Sequence, residues 1–284
     1  RAVVEIGEKL RPFARKRFEF RHHRIEMAVH RFGCRLAVMG VERRQDCLVL
    51  GEGEFPLVDF FRATAPAAPI SVEIIDDDLD LCRARGVDAV YAPVAATMYP
   101  DGFQTHVVPG HLADVLEGAE RPGHFRGVTT VVTKLFNAAR PHVAVFGQKD
   151  FQQLAIIKRM TVDLDMGIDI VGMPTVREAD GLAMSSRNRR LAPEQRTAAV
   201  CVPRSLAAVI DAFGAGETDP AALVALGRSV VEAEPLARFE HLELVDADTL
   251  MPVEAATHNT VAVTAVWFGE VRLIDNRMLR LLDE

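Results

Sequence analysis

From about residue 74 onward, apolar positions along this chain alternate between short continuous runs and helical spacing. DDDLDLCRARG (76–86) reads as a short helix whose acidic start suits the helix dipole and whose end is Gly86. VDAVYAP (87–93) reads as a buried strand stopped by Pro93. In GHFRGVTTVVTKLFNAAR (123–140), Val128, Val131, Val132, Leu135 and Phe136 fall on one side of a helix. HVAVFG (142–147) and IDIVGMP (168–174) are expected strands, with DFQQLAIIKRMTVDL (150–164) the helix between them. Such strand–helix–strand units with apolar strands imply a parallel α/β sheet with right-handed crossovers.

After residue 176 the texture changes. APEQRTAAVCVPRSLAAVIDAF (192–213) and DPAALVALGRSVVEA (219–233) are expected helices, each with a proline in its first turn. EHLELVDA, NTVAVTAVWFG and EVRLIDN then alternate as a small antiparallel sheet, with a turn at Gly269-Glu270. A boundary near residue 175 therefore divides residues 1–175 from a smaller α+β domain at 176–284.

Composition narrows the class. The 284 residues are 49% hydrophobic and 26% charged, which suits a globular chain with a sizeable core. No apolar run approaches the ~20 residues that span a bilayer, and the first 20 residues lack a signal-peptide core, so no membrane partner and a cytoplasmic location are expected. Cys34, Cys47, Cys82 and Cys201 stand far apart without a CxxC, which reads as free thiols and argues against a cysteine metal cluster. The net charge of −7 is uneven: residues 1–35 hold ten Lys/Arg against four Asp/Glu, the remainder 23 against 36. A basic arm could meet nucleic acid or an acidic surface. A solvated face is the plainer account, because aromatic interleaving and an RNA-binding signature are missing, and no nucleic-acid partner is expected.

Two short segments carry the candidate chemistry. In FGQKD (146–150), Gly147 ends a strand and Asp150 opens a helix, the place where parallel α/β sheets bind ligands. Lys149 there can meet a phosphate, and Asp150 can accept from ribose hydroxyls or merely cap the helix. In GLAMSSRNR (181–189), Ser185, Ser186 and Arg187 could surround a polyphosphate, or form only a serine-rich turn with a surface arginine. Gln153 follows Lys149 by one turn and shares its face, although a glutamine at a helix start more often faces solvent, as would Gln152. His124 could be a base but more often caps or packs; Arg121 could bind a carboxylate or pair at the surface. Asp76, Asp77 and Asp78 could hold Mg²⁺ through water or simply begin a helix.

YPDG (99–102), LEG (116–118), RPGHFRGV (121–128), FGQKDFQQL (146–154), VGMPTVREADGLAMSSRNRRL (171–191) and LIDN (273–276) occur in that order. The chain thereby resembles the pantothenate synthetase (pantoate–β-alanine ligase) family over residues 74 to 280. The resemblance implies a Rossmann-like nucleotidyltransferase domain with a parallel sheet, a C-terminal lid and a homodimer. It implies a reaction in which pantoate and ATP give pantoyl adenylate and pyrophosphate, after which β-alanine displaces AMP to give pantothenate. It places Gly147, Gln148, Lys149 and Asp150 on ATP, Val176 against adenine, and Met184, Ser185, Ser186 and Arg187 over the nucleotide. It places Gln153 on pantoate, with Mg²⁺ accompanying ATP; Arg121 is the further candidate for substrate, on its residue type alone. Such groups suit the chemistry, since adenylation puts negative charge on phosphorus and on the leaving pyrophosphate.

The first third departs from that family. Its HxGH motif should end near residue 36, where the chain reads MAVHRFGCRL (27–36), and its FVNPxQF segment near 56–62, where the chain reads PLVDFFR. The principal catalytic histidine is therefore unassigned. Divergence to a crippled enzyme, an out-of-frame stretch over residues 1–73, and replacement by His22, His23 or His30 all remain open. If residues 1–73 do not pack, an apolar sheet edge is exposed. Two functions follow: the ligase itself, or an impaired relative acting as a nucleotide-binding or interaction protein.

Overall fold

The computed structural model of the chain describes residues 36–39, 47–49, 89–91 and 95–280. The expectations for the helix at 76–86, for the histidines at 22, 23 and 30 and for the HxGH region lie outside them. Three strands, β1 (Leu36–Met39), β2 (Cys47–Val49) and β3 (Ala89–Tyr91), pair in the order β2-β1-β3, with β1 parallel to β3 and antiparallel to β2. Next come α1 (Ala95–Met98), α2 (Glu117–Glu120) and α3 (His124–Ala139). The helical period in α3 is answered by burial: Val128, Val131, Val132, Leu135 and Phe136 are all 8% exposed or less, worth roughly 1.5–3 kcal/mol each. β4 (Val143–Gly147) pairs with β5 (Asp169–Met173), and α4 (Phe151–Asp163) lies between them in sequence.

The expected helix at 192–213 is two helices, α5 (Pro193–Ala198) and α6 (Cys201–Gly214). Pro203 has no N–H to offer the carbonyl four residues back. The Ala199 carbonyl is instead taken by the Val202 amide at 3.1 Å, tightening the turn between them. Taken together, residues 193–214 are long and apolar enough to cross a membrane by length and composition only, a test that the core helix of a soluble protein also passes. Here Val202 packs with Val266 and Phe268, and Leu206 and Val209 with Leu242 and Leu244.

Helix α7 (Pro220–Glu232) begins at Asp219, whose carboxylate accepts from the Ala221 amide at 3.1 Å. Strands β6 (Arg238–Asp246), β7 (Thr260–Phe268) and β8 (Val271–Met278) form the expected antiparallel sheet with β7 central. The β7–β8 turn is Gly269-Glu270, with Gly269 at φ +59°, the conformation a two-residue hairpin demands. The described residues group into two compact units: those up to residue 108 with 126–145 and 166–171, and residues 109–125, 146–165 and 172–280. This is an α/β fold with a parallel strand pair and a separate antiparallel sheet.

Candidate active site

The FGQKD segment turns sharply. Gly147 is extended at φ −73°, ψ 138°, and Gln148–Asp150 form one 3₁₀ turn before α4. Two features hold that turn. Asn276 on β8 donates its side-chain amide to the carbonyls of Gln148 and Lys149, at 3.0 and 2.7 Å. Gly172 on β5 leaves room for it, because a Cβ there would stand 2.7 Å from Leu154 and 3.3 Å from Gln148. Asp150 occupies the N-cap position of α4 without a side-chain capping bond. Gln153 is half-buried, and Gln152, expected to face solvent, is only 5% exposed. Its amide donates to the carbonyls of Leu112 and Val115 at 2.8 and 2.7 Å, fastening the segment that leads to Arg121.

The second motif is a hairpin followed by a turn. The Met184 amide meets the Val176 carbonyl at 2.9 Å and the Glu178 amide the Leu182 carbonyl at 2.8 Å, with Arg177 opposite Ala183. Glu178 accepts from Asn188 and from Arg196, each at 2.7 Å, and Arg196 also reaches Asp180 at 2.7 Å. The Arg196 bond is the main cause of the lowered Glu178 pKa. Arg177 forks onto Asp275 at 2.7 and 2.9 Å, an almost fully buried carboxylate. Ser185 caps the 3₁₀ turn Ser186–Arg190, its hydroxyl accepting from the Arg187 amide at 3.2 Å. Val176 and Met184 remain 51% and 37% exposed, an apolar pair at adjoining positions of the hairpin.

These two motifs converge. Lys149, Ser185, Arg187 and Asn188 line one small recess, with a free volume of only about 10 Å³ and partly open to solvent, together with apolar Leu182 and Val202 and with Asp275 of β8. Two cations, a hydroxyl and an amide thus border this recess, groups whose chemistry suits phosphate oxygens. Among the described residues, Gly147, Gln148, Asp150, Gln153, Ser186, Val176, Met184 and Arg121 are outside the lining of that recess. No group of three His, Cys, Asp or Glu is placed to hold a metal ion among the described residues.

A third segment carries Arg121 and His124. The Arg121 guanidinium donates to Nε2 of His124 at 3.2 Å, which leaves the ring hydrogen on Nδ1. Burial, followed by the charge of Arg121, holds the His124 pKa down at about 4; Glu117 opposes the shift and Arg187 adds to it. His124 is therefore a neutral acceptor at neutral pH, close enough to Arg187 to feel its charge. Sequence reasoning missed the roles of Gln152, Asn276 and the Glu178–Asn188 bond. LIDN was visible as a motif, but nothing in its spacing tells that Asn276 reaches back 127 residues.

A family described as pantoate-beta-alanine ligase matches residues 73–278. Pantothenate synthetase of Citrifermentans bemidjiense is 50% identical over 205 residues, which are 72% of this chain and 74% of that protein. Among solved structures, pantothenate synthetase from Thermus thermophilus superposes with a TM-score of 0.74 at 38% identity, covering 90% of this chain and 87% of that one. Pantoate-beta-alanine ligase from Francisella tularensis, complexed with beta-gamma ATP and beta-alanine, gives 0.57 at 29% identity over 72% of this chain and 70% of that one. With nearly three quarters of its length matched and half of the aligned residues shared, this chain belongs to the pantoate–β-alanine ligase family.

Proposed function

We propose that the chain condenses pantoate with β-alanine at the expense of ATP, giving pantothenate, AMP and pyrophosphate. The observation that carries this reading is the meeting of Lys149 with Ser185 and Arg187 on one recess. In the first step a pantoate carboxylate oxygen bonds to the α-phosphorus, and the bond to the bridging oxygen breaks, releasing pyrophosphate. Negative charge grows on the equatorial oxygens and the leaving group, where Lys149 and Arg187 offer fixed cations and Ser185 and Ser186 offer hydroxyls. In the second step the β-alanine amine, having lost a proton, bonds to the acyl carbon and AMP leaves. That step needs the reactants held together in a dry site, a contribution of about 7–11 kcal/mol.

Gly147 and Gln148 would contact ATP and Asp150 its ribose, the exposed Val176 would lie against the adenine, and Met184 would close over the nucleotide. Gln153 and Arg121 would meet pantoate. Mg²⁺ would arrive with the nucleotide, since its hard-oxygen preference is met by phosphates rather than a protein cage, and would neutralise phosphate charge. A boundary near residue 175, a homodimer and a cytoplasmic location complete the reading, carried by the family likeness. The absent HxGH motif favours a second reading, a relative that binds the nucleotide without turnover.

Pyrophosphate release with ATP and Mg²⁺ separates the two. The ligase releases it only with pantoate, forms AMP only with β-alanine, and loses both reactions and ATP affinity in Lys149→Ala. ATP binding without pantoate-dependent release would leave the binding protein, and unchanged ATP affinity in Lys149→Ala would remove Lys149 from the site.

A further inference from the structure

Arg272 lies on β8, far in sequence from both motifs, yet its guanidinium is engaged on all three nitrogens. Nε donates to the two carboxylate oxygens of Glu240 at 3.1 and 2.9 Å, and Nη2 to Glu240 at 2.6 Å. Nη1 and Nη2 also reach the two oxygens of Glu117, at 2.9 and 2.6 Å. One arginine thus bridges two carboxylates that are only 21% and 22% exposed. The Trp267 indole donates to the same Glu240. Burial pulls the Arg272 pKa down, but the bonds to Glu240 and Glu117 outweigh it and the net shift is upward.

What Arg272 joins matters more than the ion pairs. Glu117 opens α2, four residues before Arg121 and seven before His124. The Arg272 carbonyl, for its part, receives the Arg187 guanidinium at 3.4 Å. The α2 segment is costly to hold. Leu116, just before it, sits at φ +48°, ψ −126°, a region unfavourable for a branched side chain. It persists because it is tied from three sides: by Gln152 on the Leu112 and Val115 carbonyls, by Leu112, Val115 and Leu116 packed on Val245, Leu250 and Val261, and by Glu117 on Arg272. A half-buried ion network adds little net stability, but it fixes one arrangement against others.

We propose that Arg272 is a positioning residue, which sets the Arg121–His124 segment against Arg187 through Glu117 on one side and its own carbonyl on the other. As a contribution to catalysis this rests on the ligase reading above. Glu117→Gln removes one carboxylate charge from the fork. Arg272→Lys keeps a cation whose compact ammonium cannot span both partners. Both variants are read in the full chain by steady-state pyrophosphate release and by the ¹⁵N resonance of His124 Nε2. The expected result is a KM for pantoate or β-alanine raised about tenfold with kcat within about threefold, and a shifted His124 resonance. If Glu117→Gln does not fold, Arg272→Lys carries both readouts. An active enzyme with unchanged KM, or an unmoved His124 resonance, overturns the proposal and leaves Arg272 a structural strut. A wild-type chain that releases no pyrophosphate sinks the ligase reading instead, and the His124 resonance alone then decides whether Arg272 positions this segment.

Discussion

His124 is only 8% exposed and has two arginines near it, so it stays uncharged well below the ordinary histidine value of 6.5. Its folded pKa, about 4, is depressed, so between those values the unfolded chain binds a proton that the folded chain refuses. Stability therefore falls as pH drops from 6.5 towards 4 and stops falling on this account below that, by about 3 kcal/mol in all. Glu178, Asp180, Glu240 and Asp246, all held below the carboxylate range by hydrogen bonds, lose their contributions only at more acid pH. His124→Gln keeps an acceptor for Arg121 and cannot titrate, so its unfolding free energy should be flatter from pH 6.5 to 4; an unchanged slope would assign the loss to another group. At this scale the sequence was half legible. Lys149, Ser185 and Arg187 were marked by residue type and placement. Gln152 and Gln153 are identical in type and adjacent, and only the packing of α4 against the 112–115 carbonyls decides which one is buried.

Elements were easier to read than their interruptions. The period of α3 survives in the structure because it buries one continuous apolar face, and the antiparallel run β6 to β8 survives although its central strand, β7, is buried on both faces. The break between α5 and α6 follows from Pro203, a signal present in the sequence but overridden by the apolar run around it. Helix α2, four residues long, had no period to read, and its geometry comes from contacts made elsewhere in the chain. Gly118 within it is buried, and an added Cβ would overlap the Ala113 carbonyl oxygen and approach Phe125 at 3.3 Å. Because backbone cannot give way as a flexible side chain can, Gly118→Ala should destabilise by at least ~2 kcal/mol. Thermal unfolding measures this, and a melting temperature within a degree of the parent would show that the 111–118 turn is free to shift.

Over the whole molecule the apolar clusters formed by Leu182 to Leu273, Leu206 to Leu279 and Val245 to Val261 all fall in the unit that holds residues 172–280. β7 runs through them as the central strand, with seven of its nine residues buried. Its amides should be the last to exchange with solvent under native conditions, and slower exchange in β4 would contradict that ordering. Asn276 closes the same unit onto the FGQKD turn, from 127 residues downstream of Lys149. A growing polypeptide therefore cannot finish that turn when Lys149 is made. The two carbonyls there wait for β8 to be synthesised, so translation that stops short of residue 276 would yield chains whose nucleotide turn lacks its clasp, however well the earlier segments have folded.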